Sequence, residues 1–212
     1  MKTEPVKQWR RRARWRVAAA LGVVVLLSAL DHARAPGRRA AKQQDYHGRV
    51  ARVIYAADGD TLDIDLPDVG RPTTRVRLWG VDCPEIAHAP GESDAHFGRE
   101  AADFVRRELI GRRVRVELDR NRSSRDRYGR LLAYLTVLAD GFGDREGESL
   151  NRVLIDRGLA YADRRFDHVR KREYLAAEQR AEKAKAGLWA TVRPEQMPSW
   201  RQEAARTSDS KR

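Results

Sequence analysis

The sequence predicts an α+β fold in which five short strands form a small closed β-barrel with about three helices packed against it. Five segments alternate between apolar and polar residues with a period of two, which is typical of strands with one buried face. One segment of helical periodicity lies between the third and fourth strands, and two more follow the fifth. The lone cysteine, Cys83, excludes an intrachain disulfide, so residues 41–189 must be held together by a hydrophobic core.

The first two strands are predicted to form a hairpin. Residues 50–57 (VARVIYAA) and 61–66 (TLDIDL) are separated by Asp58-Gly59-Asp60, where glycine favours a tight turn. Within the second strand, apolar and polar residues alternate, so one face is buried and the other meets solvent. Solvation on that polar face accounts for the aspartates inside the strand without a metal ion.

Residues 73–80 (TTRVRLWG) continue the alternation as the third strand. Val76 and Leu78 lie on one face, and Arg75 and Arg77 lie on the other. The pattern therefore directs Arg77 away from the side that carries Val76 and Leu78.

The rest of the chain is assigned by the same periodicities. They predict a helix over 95–110, strands over 113–118 and 130–138, and helices over 149–158 and 168–186. We expect Trp189 to pack back on the domain. Residues 190–212 lack periodicity, so they are predicted to be a polar, disordered tail.

The first 40 residues are predicted to be a targeting segment and linker. Residues 1–16 contain seven Lys or Arg, and residues 17–30 (VAAALGVVVLLSAL) carry no charge. This order is typical of a secretory signal peptide, with ARA at 33–35 as a cleavage site. Pro36 disfavours cleavage, whereas an apolar helix of about 21 Å is short for a bilayer core of about 30 Å. A cleaved signal and a retained membrane anchor therefore both stay open, and either one predicts that the folded domain lies outside the cytoplasm.

The net charge of +12 belongs mostly to the ends of the chain. Residues 1–40 hold ten basic and two acidic side chains, and residues 190–212 hold five and three, which leaves +2 for residues 41–189. The folded domain is thus nearly neutral. Any electropositive surface must come from local clustering of arginines rather than from total charge.

Asp60 and Asp82 are candidate metal ligands. Each ends a buried segment at a tight turn, and a barrel can bring two such turns together. Two carboxylates held a few Å apart need a cation to offset their repulsion.

Three segments carry a resemblance to a known family: DGDT at 58–61, RLWGVDCPE at 77–85 and DRYGR at 126–130. In order and spacing they resemble the staphylococcal (micrococcal) nuclease, or thermonuclease, family, and the similarity spans roughly 49–189. The resemblance implies an OB-fold, the five-stranded Greek-key barrel.

The resemblance also implies a role for each site residue. Asp60, Asp82 and the backbone carbonyl of Cys83 match the calcium ligands of the family, and such sparse oxygen ligation suits weakly bound Ca²⁺. Glu85 matches the base that activates water. Arg77 and Arg130 match the two arginines that grip the phosphate, a task that suits the planar, permanently charged guanidinium group.

Substrate contacts are expected from the loop between the fourth and fifth strands. Tyr128 matches a family tyrosine that contacts substrate, and Arg127 replaces a common lysine with its charge kept. Tyr161 is a second candidate aromatic contact, although core packing explains it equally well. A basic and aromatic loop can follow a phosphate backbone and stack on a base.

These expectations describe an exported, calcium-dependent endonuclease. It would hydrolyse DNA and RNA with little sequence specificity, favour single strands, leave 3′-phosphate ends and act as a monomer. Two alternatives stay open: a non-catalytic OB-type module that binds nucleic acid or protein, and a membrane-tethered structural protein. The sequence does not specify the natural substrate or the role of Cys83.

Overall fold

Five strands close into a barrel in the computed structural model, which describes residues 46–87, 89, 91–138 and 147–209. The strand order is β1-β2-β3-β6-β5, and every pair is antiparallel except β3 with β6. The seven strands are β1 (Val50–Ala56), β2 (Thr61–Ile64), β3 (Thr74–Leu78), β4 (Val81–Asp82), β5 (Arg113–Glu117), β6 (Leu131–Val137) and β7 (Tyr161–Ala162). The predicted α+β fold with a closed OB-type barrel is confirmed.

The hydrophobic core fills the barrel because the strands alternate as predicted. In β3, Thr74, Val76 and Leu78 are buried, whereas Arg75 is exposed and Arg77 is half-buried. All seven residues of β6 are buried, because this strand pairs with β3 and β5 and also contacts the helix Leu150–Asp156 on its other side.

Within the described ranges, four α-helices accompany the barrel. They are α1 (Gly98–Leu109), α2 (Leu150–Asp156), α3 (Lys171–Lys183) and α4 (Ser199–Asp209), with short 3₁₀ helices at Gly187–Ala190 and Pro194–Gln196. Helix α1 contacts β1, and α2 contacts both β6 and α3. Trp189 is buried, as expected, with its ring edge-on to Tyr161 at a centroid distance of 5.4 Å.

The C-terminal segment differs from its prediction. Residues 199–209 form a helix rather than a disordered tail. Two apolar side chains, Met197 and Trp200, pack against the small cluster around Trp189. These tertiary contacts stabilise a helix that the local sequence pattern does not predict.

The predicted targeting segment, residues 1–40, lies outside the described residues, so cleavage and anchoring stay predictions, as do the domain boundaries. None of the helices in the described part of the chain is both long and apolar enough to cross a membrane.

Candidate active site

The turn between β1 and β2 places Asp60 at the end of the barrel. The Asp58 carboxylate shapes this turn by accepting hydrogen bonds from the backbone N–H groups of Asp60 and Thr61, at 2.9 and 2.6 Å. The backbone N–H of Ala57 closes the turn by donating to the Thr61 carbonyl at 2.9 Å. The Asp58 carboxylate therefore stabilises the turn, whereas the Asp60 carboxylate is available for contacts with other parts of the chain.

A second turn, after β4, packs directly against the first. A Cβ atom at Gly59 would lie 2.7 Å from the Cys83 Sγ, so only glycine permits this approach. The backbone N–H of Cys83 donates to Asp60 Oδ2 at 2.7 Å. The two turns predicted to converge do so, and they are joined through Asp60.

Asp60 lies in an environment that opposes its charge. It is 2% exposed, and burial raises its pKa to about 8, with further upward contributions from Asp58 and Asp82. Arg77 and the Cys83 N–H oppose that rise because they stabilise the carboxylate. A positive charge beside Asp60 therefore lowers its pKa and favours the carboxylate, although the effect of burial remains larger.

Arg77 supplies such a charge and links the two predicted metal ligands. Its Nη1 forms an ion pair with Asp60, and its Nη2 donates to Asp82 Oδ1 at 2.8 Å. Burial alone would lower the pKa of Arg77, but Asp60 and Asp82 outweigh it and hold that pKa above its ordinary value. Because Arg77 projects from the outward face of β3, as its strand pattern predicts, it reaches both carboxylates.

Asp82 has two further partners that sequence reasoning missed. Arg165 Nη2 forms an ion pair with Asp82 Oδ1 at 3.0 Å, and the indole N–H of Trp200 donates to Asp82 Oδ2 at 2.8 Å. Both partners come from the C-terminal third of the chain. The one local signal for them was a tryptophan inside an otherwise polar tail.

Arg130 directly precedes β6, the strand that pairs with β3, and approaches the same turn from there. Its Nη1 donates to Thr61 Oγ1 at 3.3 Å, and that hydroxyl donates to Asp60 Oδ1 at 3.2 Å. Its Nε donates to Asp126 Oδ2 at 2.7 Å, which fixes the guanidinium. Arg130 is thus one hydroxyl group away from Asp60.

The loop before β6 displays Tyr128 beside Arg130. Tyr128 is 68% exposed, and the guanidinium carbons of Arg127 and Arg130 lie 4.7 and 5.4 Å from its ring centroid. This arrangement presents an aromatic face next to two positive charges. Substrate contact by Tyr128 and Arg127 stays a prediction.

The loop is tied to the barrel by a buttress formed by Tyr46, Asp68 and Arg125. Arg125 donates from both terminal nitrogens to Asp68, at 2.6 and 2.8 Å, and from Nη1 to the Gly129 carbonyl at 2.7 Å. The Tyr46 hydroxyl donates to Asp68 at 3.1 Å. Arg125 therefore has a structural task rather than the phosphate contact expected of the arginines in this loop.

Glu85 lies three residues after Asp82 and is exposed. Its carbonyl accepts a hydrogen bond from the backbone N–H of Ala95 at 2.9 Å, which anchors the segment that carries it. Gly98 packs so closely that a Cβ atom there would lie 2.3 Å from that same carbonyl oxygen. The backbone of Glu85 is thus fixed beside the site, and its role as base stays a prediction.

Tyr161 lies in the core instead of on the substrate face. It is 1% exposed, and burial raises its pKa to about 12. Its backbone pairs with that of Asp82 across β4 and β7. The structure therefore favours the core-packing alternative, and direct substrate contact by Tyr161 is not retained.

The donor set around Asp60 fits a hard divalent cation. In the described ranges, no group of three or more His, Cys, Asp or Glu side chains is arranged to hold a metal. The two aspartates, both contacted by Arg77, and the Cys83 carbonyl offer oxygen atoms only, and hard ions such as Ca²⁺ prefer oxygen. The Cys83 thiol is buried and its pKa is raised well above the usual value by burial and by Asp60, so it stays protonated.

Comparisons with known proteins agree on one family. The family model described as staphylococcal nuclease homologue matches residues 75–191. The chain is 32% identical over 151 residues to the thermonuclease of Staphylococcus hyicus, covering 71% of this chain and 78% of that protein. It is 30% identical over 159 residues to the micrococcal nuclease of Shigella flexneri, covering 74% and 81%. With the thermonuclease of Staphylococcus intermedius it shares 32% identity over 171 residues, covering 80% and 92%. The chain therefore belongs to the staphylococcal nuclease family.

Proposed function

We propose that this chain is an endonuclease that hydrolyses phosphodiester bonds of DNA and RNA with little sequence specificity, uses Ca²⁺ and leaves 3′-phosphate ends. The observation that carries the proposal is Arg77, which contacts Asp60 and Asp82 where two turns converge. Arg130 stands one hydroxyl group beyond Asp60. Family membership supports the same reaction class.

Each residue has a task that its environment suits. Asp60, Asp82 and the Cys83 carbonyl would hold the divalent cation, which supplies positive charge against a phosphate oxygen. Arg77 and Arg130 bind the phosphate and stabilise the charge that develops as water attacks.

Glu85 is proposed to take the proton from the attacking water. It is an exposed carboxylate close in sequence to Asp82, so it stays accessible to water and substrate. The ordinary pKa of a glutamate, about 4.3, makes it a weak base that depends on its neighbours.

The substrate would be held through its backbone and through base faces. Tyr128 offers an exposed ring for stacking, with Arg127 and Arg130 beside it to bind phosphates. Stacking accepts any base, and unpaired bases stack more readily than those inside a duplex. Low sequence specificity and a preference for single strands follow from this arrangement.

The proposed setting is outside the cytoplasm. Residues 1–16 are basic and residues 17–30 are uncharged and apolar, which supports export with the domain secreted or anchored to the membrane. We propose that the enzyme acts as a monomer.

A digestion assay tests the reaction. The chain is incubated with single- and double-stranded DNA and RNA in Ca²⁺, in Mg²⁺ or with a chelator. We expect cleavage with Ca²⁺ but not with Mg²⁺ or chelator. We also expect product ends that block polymerase extension until a phosphatase removes the 3′-phosphate. Binding without cleavage in every condition would instead indicate a non-catalytic module.

Variants on one loop test the base. Glu85→Gln removes the carboxylate and should lower kcat by about 10²-fold or more, because general-base catalysis typically contributes that much. Glu92→Gln is the matched control, since Glu92 is an exposed glutamate on the same loop whose carboxylate accepts a hydrogen bond from the backbone N–H of Ala89 at 3.2 Å. Equal rates for the two variants would contradict the role of Glu85.

A further inference from the structure

Helix α4 delivers a tryptophan to the carboxylate of Asp82. The indole N–H of Trp200 donates to Asp82 Oδ2 at 2.8 Å, across 118 residues of sequence. Asp82 is 9% exposed, and its other oxygen, Oδ1, is contacted by Arg77 and Arg165 at 2.8 and 3.0 Å. Three donors from three parts of the chain therefore fix the orientation of this carboxylate.

The helix is anchored by the residue that follows Trp200. Arg201 Nη1 donates at 2.8 Å to Glu178, a side chain with no exposed surface. The Arg201 guanidinium also lies over the rings of Trp189 and Tyr161, at 4.8 and 5.5 Å from their centroids. A buried charged pair and two cation–π contacts hold α4 in one defined position on the domain.

The anchor and Asp82 belong to the same structural unit. Glu178 also accepts a hydrogen bond from the backbone N–H of Ala162 at 3.0 Å, and Ala162 lies in β7. Strand β7 pairs with β4, where Tyr161 is opposite Asp82. The helix that presents Trp200 is thus tied to the strand that presents its acceptor.

Arg165 contacts both the Trp200 ring and the Asp82 carboxylate. Its guanidinium carbon lies 5.2 Å from the Trp200 ring centroid, and Nη2 reaches Asp82 Oδ1 at 3.0 Å. Asp163 holds it by accepting from Nε and Nη2, at 2.9 and 2.8 Å. Trp200 therefore touches Asp82 directly and also covers a second group that contacts the same carboxylate.

We propose that Trp200 is a positioning residue for Asp82, and that helix α4 completes the metal-binding site of the enzyme. The inference rests on the proposed function, in which Asp82 and Asp60 bind a divalent cation. Groups that orient a ligand through a hydrogen bond typically change metal affinity by about 10- to 100-fold when removed. Without the indole N–H, Asp82 Oδ2 loses this donor, and the two arginines at Oδ1 no longer fix the direction of the second oxygen.

A second tryptophan in the same cluster provides a matched control. Trp189 packs with Tyr161 near Trp200, but its buried indole N–H has no hydrogen-bond partner among the described residues. Trp189→Phe and Trp200→Phe therefore make the same chemical change in one cluster. Only Trp200→Phe removes a bond to Asp82.

The test measures Ca²⁺ binding to the full chain by isothermal titration calorimetry, with the folded state checked by thermal unfolding. We expect Trp200→Phe to weaken Ca²⁺ binding about tenfold. We expect Trp189→Phe to leave Ca²⁺ affinity at the wild-type value, because phenylalanine keeps an aromatic ring beneath Arg201 and the Arg201–Glu178 pair is unchanged. Phenylalanine fills the buried site less well, so the melting temperature should fall. In the cleavage assay, Trp200→Phe should shift the Ca²⁺ dependence of the rate to higher concentration and regain most of kcat at saturation.

The outcomes separate the inference from the proposed function. If the wild-type chain binds no Ca²⁺ and cleaves without it, the proposed metal site is wrong. If the wild type binds Ca²⁺ and Trp200→Phe binds it equally well, only the role of Trp200 is overturned. Tighter Ca²⁺ binding or faster cleavage by Trp200→Phe would also overturn it, since the helix would then obstruct the site.

Discussion

At Arg77 a single guanidinium contacts both aspartates of the candidate site, and it does so from the outward face of β3. The contact with Arg77 opposes the rise in pKa that burial causes at Asp60. The geometry needs a planar group with several donors, which distinguishes arginine from lysine here.

Replacing Arg77 with lysine tests this requirement. A single ammonium cannot reach both carboxylates and a phosphate, so Arg77→Lys should lower kcat by about 10²- to 10³-fold. Arg75→Lys is the control, because Arg75 lies two residues away on the same strand, pairs with Asp63 and has a side chain that is 45% exposed. A steady-state cleavage assay measures both. Wild-type turnover by Arg77→Lys would mean that charge alone is sufficient.

His168 gives the stability of the domain a dependence on pH. The ring is buried, its Nδ1 lies 3.1 Å from the Tyr134 hydroxyl, and burial lowers its pKa, helped by Lys171 and opposed by Asp119. As pH falls below about 6.5, the unfolded chain takes up a proton at this residue before the folded chain does. The contribution of His168 to stability is therefore complete above that pH and is lost below it.

Urea denaturation of His168→Asn between pH 5 and pH 8 measures this effect. The variant should lose less stability than wild type as the pH drops from about 7 to 5, because asparagine does not titrate. Asparagine can keep a hydrogen bond to Tyr134 through its side-chain oxygen. Parallel stability curves for the two proteins over this range would show that His168 is not the titrating group.

At the scale of elements, the site depends on the contact between the β1–β2 turn and the turn after β4. Gly59 lies where a Cβ atom would be 2.7 Å from the Cys83 Sγ and 3.0 Å from the Ala101 Cβ. The turn carries Asp60, and the Cys83 N–H binds the carboxylate of Asp60. Packing between two turns thus sets the position of a carboxylate of the candidate site.

Gly59→Ala should therefore affect stability and activity together. Overpacking of this kind typically costs about 1–3 kcal/mol, and displacement of Asp60 should reduce cleavage in proportion to lost metal affinity. Adding Cys83→Ala removes the sulfur at 2.7 Å but keeps the Cys83 Cβ at 2.8 Å, so it should restore little of the loss. Denaturation curves and Ca²⁺ titrations measure the two effects. An unaltered free energy of unfolding for Gly59→Ala would contradict the close approach.

The buttress formed by Tyr46, Asp68 and Arg125 makes a second prediction for an element, the loop of Tyr128 and Arg130. Asp68→Asn weakens both hydrogen bonds from Arg125, so the loop should be less ordered and KM should rise about fivefold, equivalent to about 1 kcal/mol, with little change in kcat. Asp167→Asn is the control, because Asp167 pairs with Arg122 of the same loop. The side chains of Arg122 and Asp167 are 47% and 71% exposed. Exposed pairs contribute little. Equal KM values for the two variants would assign the buttress no role in substrate binding.

Local patterns predicted the barrel and the two turns well. Period-two alternation located all five barrel strands, and helical periodicity located α1, α2 and α3, because these elements expose one face to water. The two-residue strands β4 and β7 were not predicted, because neither is long enough to show a periodic pattern and each is defined by its pairing with the other. Helix α4 was not predicted, because it is stabilised by contacts of Arg201 with Glu178 and Trp189, which are distant from it in sequence.

At the scale of the whole molecule, the same distinction applies to the site. Asp60, Arg77, Asp82 and Arg130 were predicted because each lies within a short motif or at the end of a patterned strand, and the structure joins them. Arg165 and Trp200 were missed because only the three-dimensional fold brings them to Asp82. Tyr161 was ambiguous because a tyrosine near a site can be core or contact, and burial decides between them.

The distribution of charge over the whole chain gives a final prediction about salt. Residues 41–189 carry a net charge of only +2, so substrate binding by the domain should depend on the few arginines at the site. If Arg77, Arg127 and Arg130 each neutralise one phosphate, the plot of log KM against log salt concentration for single-stranded DNA should have a slope of about 2, from roughly 0.7 per contact. The measurement uses residues 41–212 between 50 and 300 mM NaCl. Arg127→Gln should reduce the slope by about 0.7, whereas Arg122→Gln, which removes the exposed pair with Asp167, should leave it unchanged. A slope two or more times steeper would show that charge spread over the chain, rather than the arginines around Asp60 and Tyr128, holds the substrate.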